Sequence, residues 1–232
     1  ISAHVPFKKT DLAHNFGSFP SPIPGHYQIL TEQECAGKCL TWIRDNVLYH
    51  KDELMQEENA PDIFKVLDKI VSRVPAGSNN VIFTPWLYGE RSPVDDCHIR
   101  ASLFNVSLEN TREDILRAIF EGVAFNAKWL IAPVEKFMGR SFEYFNFIGG
   151  GANSDVWSQI IADIFNRKIR QVKDPIYSNA RGAAFLASMA LKYMTLADIP
   201  KYIQIKAEYT PNPDNRKRYD ELFMEFVNHY KT

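Results

Sequence analysis

Three consecutive glycines at residues 149–151 are the feature of this sequence whose residue type and spacing most directly suggest ligand binding. They lie between the apolar segment 142–148 and an amphipathic segment that places Val156, Trp157 and Ile160 at helical spacing. If the first segment is a strand and the second is a helix, the glycines form the turn between them. Such a turn has no Cβ atoms to block a nucleotide, and it can adopt positive φ.

The start of the predicted helix offers groups that favour an anion. Asn153 or Ser154 can cap it, and the N–H groups of its first turn carry the positive end of the helix dipole. A phosphate or a ribose hydroxyl suits such a turn. The run matches neither the G-x-G-x-x-G fingerprint nor the Walker A sequence, so from the glycines alone a tight turn that binds nothing is an equal alternative.

The composition is that of a globular protein without a strong charge bias. The chain has 232 residues, 45% of them hydrophobic, and a net charge of −1, so it lacks the basic excess typical of proteins that bind nucleic acid or anionic membranes. Its cysteines are too few for a disulfide framework and favour a reducing compartment. The sequence has no membrane-length apolar run, no signal sequence and no histidines at metal-ligand spacing. We therefore expect a cytoplasmic protein with no nucleic-acid or membrane partner and no metal ligands.

The first part of the chain predicts a strand followed by two helices. The opening letters ISAHVPF are strand-like. Thr31 and Glu34 form a capping box for a helix that runs to about Asn46, and Pro61 suits the first position of the next helix. The first helix places the following residues on one side: Cys35, Cys39, Leu40, Ile43 and Val47.

The remainder of the chain alternates strands and helices. The segment NVIFTP predicts a strand that leads into a loop, and a long helix starts at Asn110 or Thr111 and is kinked or ended by Pro133. No internal repeat or low-complexity linker interrupts the chain, so we predict one domain over residues 1–232. Further strands are predicted at 142–148 and 167–172, and further helices at 178–191 and 215–230.

Four segments carry motifs whose combination is more specific than any one of them. They are FTPWLYGERSPVDDCHIRAS, TREDILRAIFEGVAF, IGGGANSDVWSQIIADIF and SNARGAAFLASMALKY. In this order and spacing they resemble the carboxy-terminal domain of the FGGY carbohydrate kinases, with the xylulose kinases nearest. The resemblance covers nearly the whole chain and implies an α/β fold of the actin-like, ribonuclease-H-like ATPase class, with a mixed sheet flanked by helices.

The resemblance also assigns nucleotide-binding roles. The glycines and the alanine that follows them match the family's nucleotide loop, and one of the next three residues would approach the adenosine. Gly37 matches the glycine of an A-G-x-x-x-x-W segment that lies against the nucleotide, with helix packing as the alternative. Close packing explains the helical glycines Gly122 and Gly182, although the resemblance also offers Gly182 a place beneath the adenine. The assigned residues are Gly37, Gly149, Gly150, Gly151, Ala152, Asn153, Ser154 and Asp155.

The GERSP loop is assigned a scaffold role. Glu90, Arg91 and Arg100 are expected to pair with one another and hold this loop near the cleft. Asp95 and Asp96 are interpreted as solvated turn residues rather than as a catalytic base, and no catalytic residue is assigned. The sequence also departs from the family where Ala101 follows Arg100 and where segment 104–106 reads Phe-Asn-Val, because the family has glycines there.

Three hypotheses follow. The first is the carboxy-terminal ATP-binding half of a two-domain sugar kinase that transfers the γ-phosphate of ATP, with Mg²⁺, to a hydroxyl of a pentulose such as D-xylulose. Its amino-terminal domain, which would hold most of the sugar, is absent, as are the family's upstream aspartate base and Gly-Thr-Ser loop, so this chain alone is expected to be inactive. The alternatives are a non-catalytic nucleotide-binding or assembly module and an actin-like structural ATPase. The oligomeric state stays open, a homodimer included.

Overall fold

A computed structural model of the chain describes residues 1–48 and 63–231. Its first part is a four-stranded antiparallel sheet with the strand order β1-β4-β3-β2, so that β1 is an edge strand. The predicted opening strand is confirmed as β1, but the three strands that follow were not predicted. The strands are β1 Ser2–Val5, β2 Thr10–Asp11, β3 Phe16–Pro20 and β4 Tyr27–Leu30.

The middle of the chain is built around one long buried helix. This helix, α3, begins with a capping box in which Thr111 and Asp114 satisfy each other's backbone groups. The start was predicted at Asn110 or Thr111, and the N-cap is Thr111. It ends at Trp129, because Pro133 has no N–H to donate to the carbonyl oxygen of Trp129. Helix α4 follows directly. The elements are α1 Gly37–Ile43, α2 Ile63–Val71, β5 Ile82–Thr84, β6 Ser102–Phe104, α3 Arg112–Trp129 and α4 Ile131–Met138.

The last part forms a three-stranded mixed sheet. Strand β7 pairs in parallel with β8, and β8 pairs antiparallel with β9, so β7 is also an edge strand. All five elements predicted here, two strands and three helices, are present within a few residues of their expected bounds. The elements are β7 Tyr144–Phe147, α5 Asp155–Phe165, β8 Lys168–Val172, α6 Ser178–Ala190, α7 Ile199–Tyr202, β9 Ile205–Tyr209 and α8 Arg216–Lys231.

The main hydrophobic core lies where α3, α5 and α8 meet β5 and β8. Gly122 allows α3 to approach β5 so closely that a Cβ at this position would collide with the carbonyl oxygen of Phe83. Its predicted packing role is confirmed. At Gly182 the same prediction is wrong for the described residues, because a Cβ there would meet no atom within 4 Å.

The predicted capping box at Thr31 and Glu34 is wrong. The hydroxyl of Thr31 is 2.8 Å from that of Ser92, and the backbone N–H of Glu34 donates to the carboxylate of Glu90. Helix α1 therefore begins later, after Ala36, and its last turn widens into a π-helix over residues 44–48.

The predicted sharing of a buried side by Cys35 and Cys39 is confirmed, since both thiols are buried. Burial raises the pKa of the Cys39 thiol to about 12, so this side chain stays a neutral packing group at ordinary pH. Val47, in contrast, is 56% exposed rather than on the buried side. The helix start predicted at Pro61 lies outside the described residues.

Candidate functional site

The glycine run is a strand-to-helix turn, as the sequence predicts. Gly149 has φ +83° and ψ −176°, a conformation essentially restricted to glycine, and its N–H donates to the carbonyl oxygen of Pro175 at 3.0 Å. Residues 150–153 form a single 3₁₀ turn. Helix α5 then starts after Ser154, whose hydroxyl accepts the N–H of Trp157 at 2.9 Å.

The three glycines have different surroundings. A Cβ at Gly151 would lie 2.9 Å from the indole ring of Trp157, so the turn packs on this ring only because the residue is glycine. A Cβ at Gly149 or Gly150 would meet no atom within 4 Å. Gly149 is explained by its backbone conformation, whereas neither packing nor positive φ explains Gly150. The open backbone at Gly150 is the part of the turn that a ligand can approach.

Residues just after the turn are held by the protein itself. Ala152 is fully buried, and its carbonyl oxygen accepts the side-chain N–H of Gln171 at 2.7 Å. The carboxylate of Asp155 accepts hydrogen bonds from Lys206 at 2.7 Å and from Gln171 at 2.9 Å. These bonds, that from Lys206 first, lower the pKa of Asp155. The Asp155 side chain is thus engaged with β8 and β9.

Ser154 connects the start of α5 to helix α2. Besides accepting the N–H of Trp157, its hydroxyl donates to the carboxylate of Asp68 at 2.7 Å. Asn153 is exposed, and its side chain makes no hydrogen bond within residues 1–48 and 63–231. Of the three residues predicted to approach an adenosine, Asn153 is therefore the one whose side chain is available for it.

One cleft beside the turn, with a volume of about 800 Å³, lies between the turn and helices α1 and α2. We call it the α1–α2 cleft. Gly37, Gly150 and Gly151 all line it, so the two predicted nucleotide-binding segments meet here although they are far apart in the sequence. Other lining residues are Lys38, Thr41, Phe64, Lys65, Asp68 and Trp157.

A larger cleft of about 950 Å³ lies on the other side of the same turn. We call it the sheet-edge cleft, because residues of the edge strands β1 and β7 line it. It shares Gly37, Gly150 and Gly151 with the first cleft, but among its described lining residues Arg181 is the one charged side chain. A phosphate-bearing ligand needs cationic and polar groups, so the smaller α1–α2 cleft fits a nucleotide better than the larger one.

Sequence reasoning found the backbone of this site but missed its side-chain walls. Trp157 was assigned to the buried face of α5, yet its ring also lines both clefts. Lys38 directly follows the identified Gly37, and Thr41 lies one helix turn after that glycine, a spacing that was the available signal for it. Phe64 on α2 carried no signal, since its position relative to the turn depends on tertiary packing.

The GERSP loop has a scaffold role, but not through the predicted pairs. Buried Glu90 accepts the backbone N–H groups of Glu34 and Arg91 and a side-chain hydrogen bond from Asn126. Burial raises the pKa of Glu90 despite these bonds. Arg91 pairs instead with Glu32 at 3.2 Å. The predicted pairing among Glu90, Arg91 and Arg100 is therefore wrong, because a buried carboxylate satisfies itself on nearby N–H donors.

The remaining charged candidates of this loop are turn residues. Arg100 donates to the carbonyl oxygens of Cys97 and Ile99. Asp96 accepts the N–H groups of His98 and Ile99, and Asp95 is exposed. Neither aspartate lines the two clefts. In residues 1–48 and 63–231 no three His, Cys, Asp or Glu side chains converge to hold a metal ion.

The described helices include none that is both long and apolar enough to cross a membrane.

Comparison with known families gives one match that spans most of the chain. The C-terminal domain model of the FGGY family of carbohydrate kinases matches residues 8–191. Xylulose kinase from Staphylococcus epidermidis is 28% identical over 224 residues, which is 96% of this chain and 42% of that protein. Gluconokinase from Bacillus subtilis is 31% identical and autoinducer-2 kinase from Enterobacter sp. is 29% identical, over 83% and 96% of this chain. These alignments cover 37% and 42% of the two relatives.

Solved structures give the same result for the fold. The gluconate kinase of Lactobacillus acidophilus superposes with a TM-score of 0.83 at 28% identity, over 99% of this chain and 44% of the other. A ligand-bound xylulose kinase from the same organism also gives 0.83, at 27% identity, with the same coverage of the two chains. The chain thus spans less than half the length of the relatives that it matches.

Proposed function

Because the chain belongs to the FGGY family of carbohydrate kinases and has the actin-like, ribonuclease-H-like fold of its members, we propose that it is the ATP-binding half of a sugar kinase. In this role it binds MgATP, and the complete enzyme transfers the γ-phosphate to a sugar hydroxyl. The chain covers about two fifths of the relatives' length. A further domain, amino-terminal to this one, supplies most of the sugar site in our proposal.

One observation carries the nucleotide-binding proposal. Gly37 and Gly150 lie in separate segments of the sequence, yet both line the α1–α2 cleft, and at both a Cβ would meet no atom within 4 Å. Neither glycine has a positive φ. A glycine without a conformational or packing reason is expected where a ligand approaches the backbone. Two such positions on one cleft support a ligand that lies between them.

The chemistry of the α1–α2 cleft suits an adenine nucleotide. Phe64 and Trp157 offer aromatic surface for the base, and Lys38 and Lys65 bring positive charge to the same cleft. The N–H groups at the start of α5 lie next to Gly150 and favour phosphate or ribose oxygens. We place the adenosine against the glycine turn, with Gly149 to Gly151 and Ala152 as its backbone and Asn153 beside it. Mg²⁺ arrives with the nucleotide, since this ion keeps to phosphate oxygens and water.

The experiment is calorimetric titration of the chain with MgADP and MgATP. Gly150→Val should remove detectable binding, because its branched side chain points into the space where the ligand must approach and does not clash with the protein. Ala132→Val, on an exposed position of α4, is the matched control and should bind as the wild type does. Absence of binding to the wild-type chain at millimolar nucleotide would count against the proposal.

The sugar is a separate question, because the similar relatives are named for three different substrates. We propose a pentulose, D-xylulose, since several of the similar relatives are xylulose kinases and the four motifs resemble those of that group. ADP release by the complete kinase would be compared for D-xylulose, gluconate and autoinducer-2. A higher kcat/KM for gluconate or autoinducer-2 would replace the sugar in the proposal without touching the nucleotide site.

A further inference from the structure

The α1–α2 cleft contains a carboxylate that the phosphates of a nucleotide would avoid. Asp68, on helix α2, lines this cleft together with Lys65 and the turn at Gly150. A carboxylate repels a phosphate group at close range, because both are negatively charged. If the cleft binds a nucleotide, the Asp68 side chain therefore faces another part of that molecule.

Helix α2 presents Asp68 to the cleft and not to the core. Ile63, Leu67 and Val71 form the buried face of this helix. Phe64 and Asp68, each one residue further along the chain than a buried residue, line the cleft instead. Residues four apart lie on the same helix face, one turn from each other. The phenyl ring and the carboxylate are therefore neighbours on one wall of the cleft.

A hydrogen bond to Ser154 fixes the carboxylate of Asp68 beside the glycine turn. The hydroxyl of Ser154 donates to Oδ1 of Asp68 at 2.7 Å while it accepts the N–H of Trp157 at 2.9 Å. Since Ser154 is the N-cap of α5, this bond ties the carboxylate to the start of that helix. An ionised carboxylate can accept about four hydrogen bonds, and the bond from Ser154 uses one of these positions.

The aromatic ring on the same wall indicates where the base lies. Phe64 is 41% exposed although it lines the cleft, and the guanidinium carbon of Arg44 lies 5.4 Å from its ring centroid. One helix turn, about 6 Å along α2, separates Phe64 from Asp68, which is comparable to the distance from a base to its sugar in a nucleoside. A base that stacks on Phe64 thus brings its ribose within reach of Asp68.

We propose that Asp68 recognises the ribose of the bound nucleotide by accepting a hydrogen bond from its 2′- or 3′-hydroxyl. Hydroxyl groups are donors, and a hydrogen bond to an ionised acceptor is about twice as strong as a neutral one. Asp68 then makes the site prefer ribonucleotides to deoxynucleotides. This inference rests on the proposed nucleotide-binding function.

Coordination of Mg²⁺ is the chemical alternative for this carboxylate, because Mg²⁺ is held by one or two carboxylates together with phosphates. Among the described residues that line the α1–α2 cleft, Asp68 is the one carboxylate. Lys38 and Lys65 line the same cleft, and their positive charges disfavour a cation there. The charge of the cleft therefore favours the ribose over the metal ion as the partner of Asp68.

The experiment is calorimetric titration of the chain with ADP, 2′-deoxyADP and 3′-deoxyADP, each with Mg²⁺ and again with EDTA. We expect at least one deoxy analogue to bind about tenfold more weakly than ADP, the loss typical of a hydrogen bond to a charged group. The ratio should be the same with EDTA. If Asp68→Ala weakened ADP binding only in the presence of Mg²⁺, the carboxylate would be a metal ligand and the proposal would be overturned.

Three variants test whether the preference comes from the carboxylate. Asp68→Ala should abolish it, because ADP then binds as weakly as the deoxy analogue. Asp68→Asn keeps an acceptor for the Ser154 hydroxyl, which protects the fold, and should reduce the ratio to about threefold, since a neutral hydrogen bond has about half the energy. Asp214→Ala, at an exposed carboxylate outside the cleft, should keep the wild-type ratio.

Phe64→Leu is the control within the cleft and should weaken the binding of all three nucleotides by the same factor, because it removes aromatic surface for the base. Equal affinity of the wild type for the three nucleotides would overturn the proposal. Equal weakening of all three by Asp68→Ala would also overturn it, in favour of a structural role through Ser154. Both results leave nucleotide binding intact, whereas no binding of any of the three would overturn the proposed function and this inference together.

Discussion

Gly122 and Gly182 both interrupt helices, but only one of them is needed for packing. Gly122→Ala should lower the free energy of unfolding by about 1–3 kcal/mol, because the new methyl group collides with the carbonyl oxygen of Phe83 and α3 must move away from β5. Gly182→Ala should raise it by about 0.5–1 kcal/mol, since alanine restricts the unfolded chain and meets nothing in the folded one. Urea unfolding of both variants checks the pair, and equal destabilisation would contradict it.

Asp155 gives the chain a stability term that depends on pH. Lys206, and after it Gln171, lower the pKa of Asp155 in the folded state. Its contribution is therefore fully present above the unfolded value of about 3.9 and is lost as the pH falls through the lower folded value. We expect Asp155→Asn to be less stable than the wild type near about pH 7, and the difference to shrink as the pH falls from about 3.9 towards about 2.

The control for this prediction is Asp214→Asn, at an exposed carboxylate without an ion pair in the described part of the chain. Urea unfolding is measured at both pH values for both variants. If the free energy of unfolding of Asp155→Asn is below that of the wild type by the same amount at both pH values, the loss does not come from the charge of the Asp155 carboxylate.

At the scale of elements, a buried charged cluster joins α3, α8 and the loop before β5. The carboxylate of Glu121 accepts bonds from Gly77 N–H, Ser78 hydroxyl, Arg117 and Tyr219. Arg117 in turn donates to the carbonyl oxygens of Val71 and Val74, at and just after the end of α2, and to the hydroxyl of Tyr219. Every group has a partner, which is the condition for burying an ion pair.

Removal of Glu121 should be costly because it leaves Arg117 charged and buried. We expect Glu121→Leu to lower the free energy of unfolding by about 3–5 kcal/mol. Tyr219→Phe, which keeps the ion pair and removes one hydroxyl, should cost about 1–3 kcal/mol. Chemical unfolding of the single and double variants measures the coupling. Additive effects would mean that the tyrosine and the carboxylate act independently.

At the scale of the whole molecule, we predict that this chain alone does not phosphorylate sugar at a useful rate. Transfer requires the sugar hydroxyl to be held in line with the γ-phosphate, and such alignment contributes about 7–11 kcal/mol of barrier reduction. Asp95 and Asp96 do not line the clefts, and Asp68, which lines the α1–α2 cleft, is engaged as the acceptor of the Ser154 hydroxyl. The loss should appear in kcat.

A coupled ADP-release assay with D-xylulose compares this chain with the complete kinase. Restored turnover in the complete kinase, with unchanged nucleotide affinity, is the expected result. Robust sugar-dependent turnover by this chain alone would place the catalytic residues within it, and Asp95→Asn and Asp96→Asn would then identify the base.

Periodicity and motif order let the sequence alone determine most of the elements, the family and the glycine turn. These signals are local: helix and strand spacing, a proline, and glycines with no Cβ are properties of short segments. The start of α3 at Thr111 and the cap at Ser154 were accessible for the same reason, because each capping bond spans only three residues.

Only the tertiary structure decided which distant groups meet. Thr31 and Glu34 have the spacing of a capping box, but Ser92 and Glu90 bind their polar groups, so the helix starts later. Gly37 and Gly150 face one cleft, and β1 and β7 border another, through packing that no segment encodes by itself. Partner choice across the fold depends on which donors, edges and cavities come together, and that is a property of the folded chain as a whole.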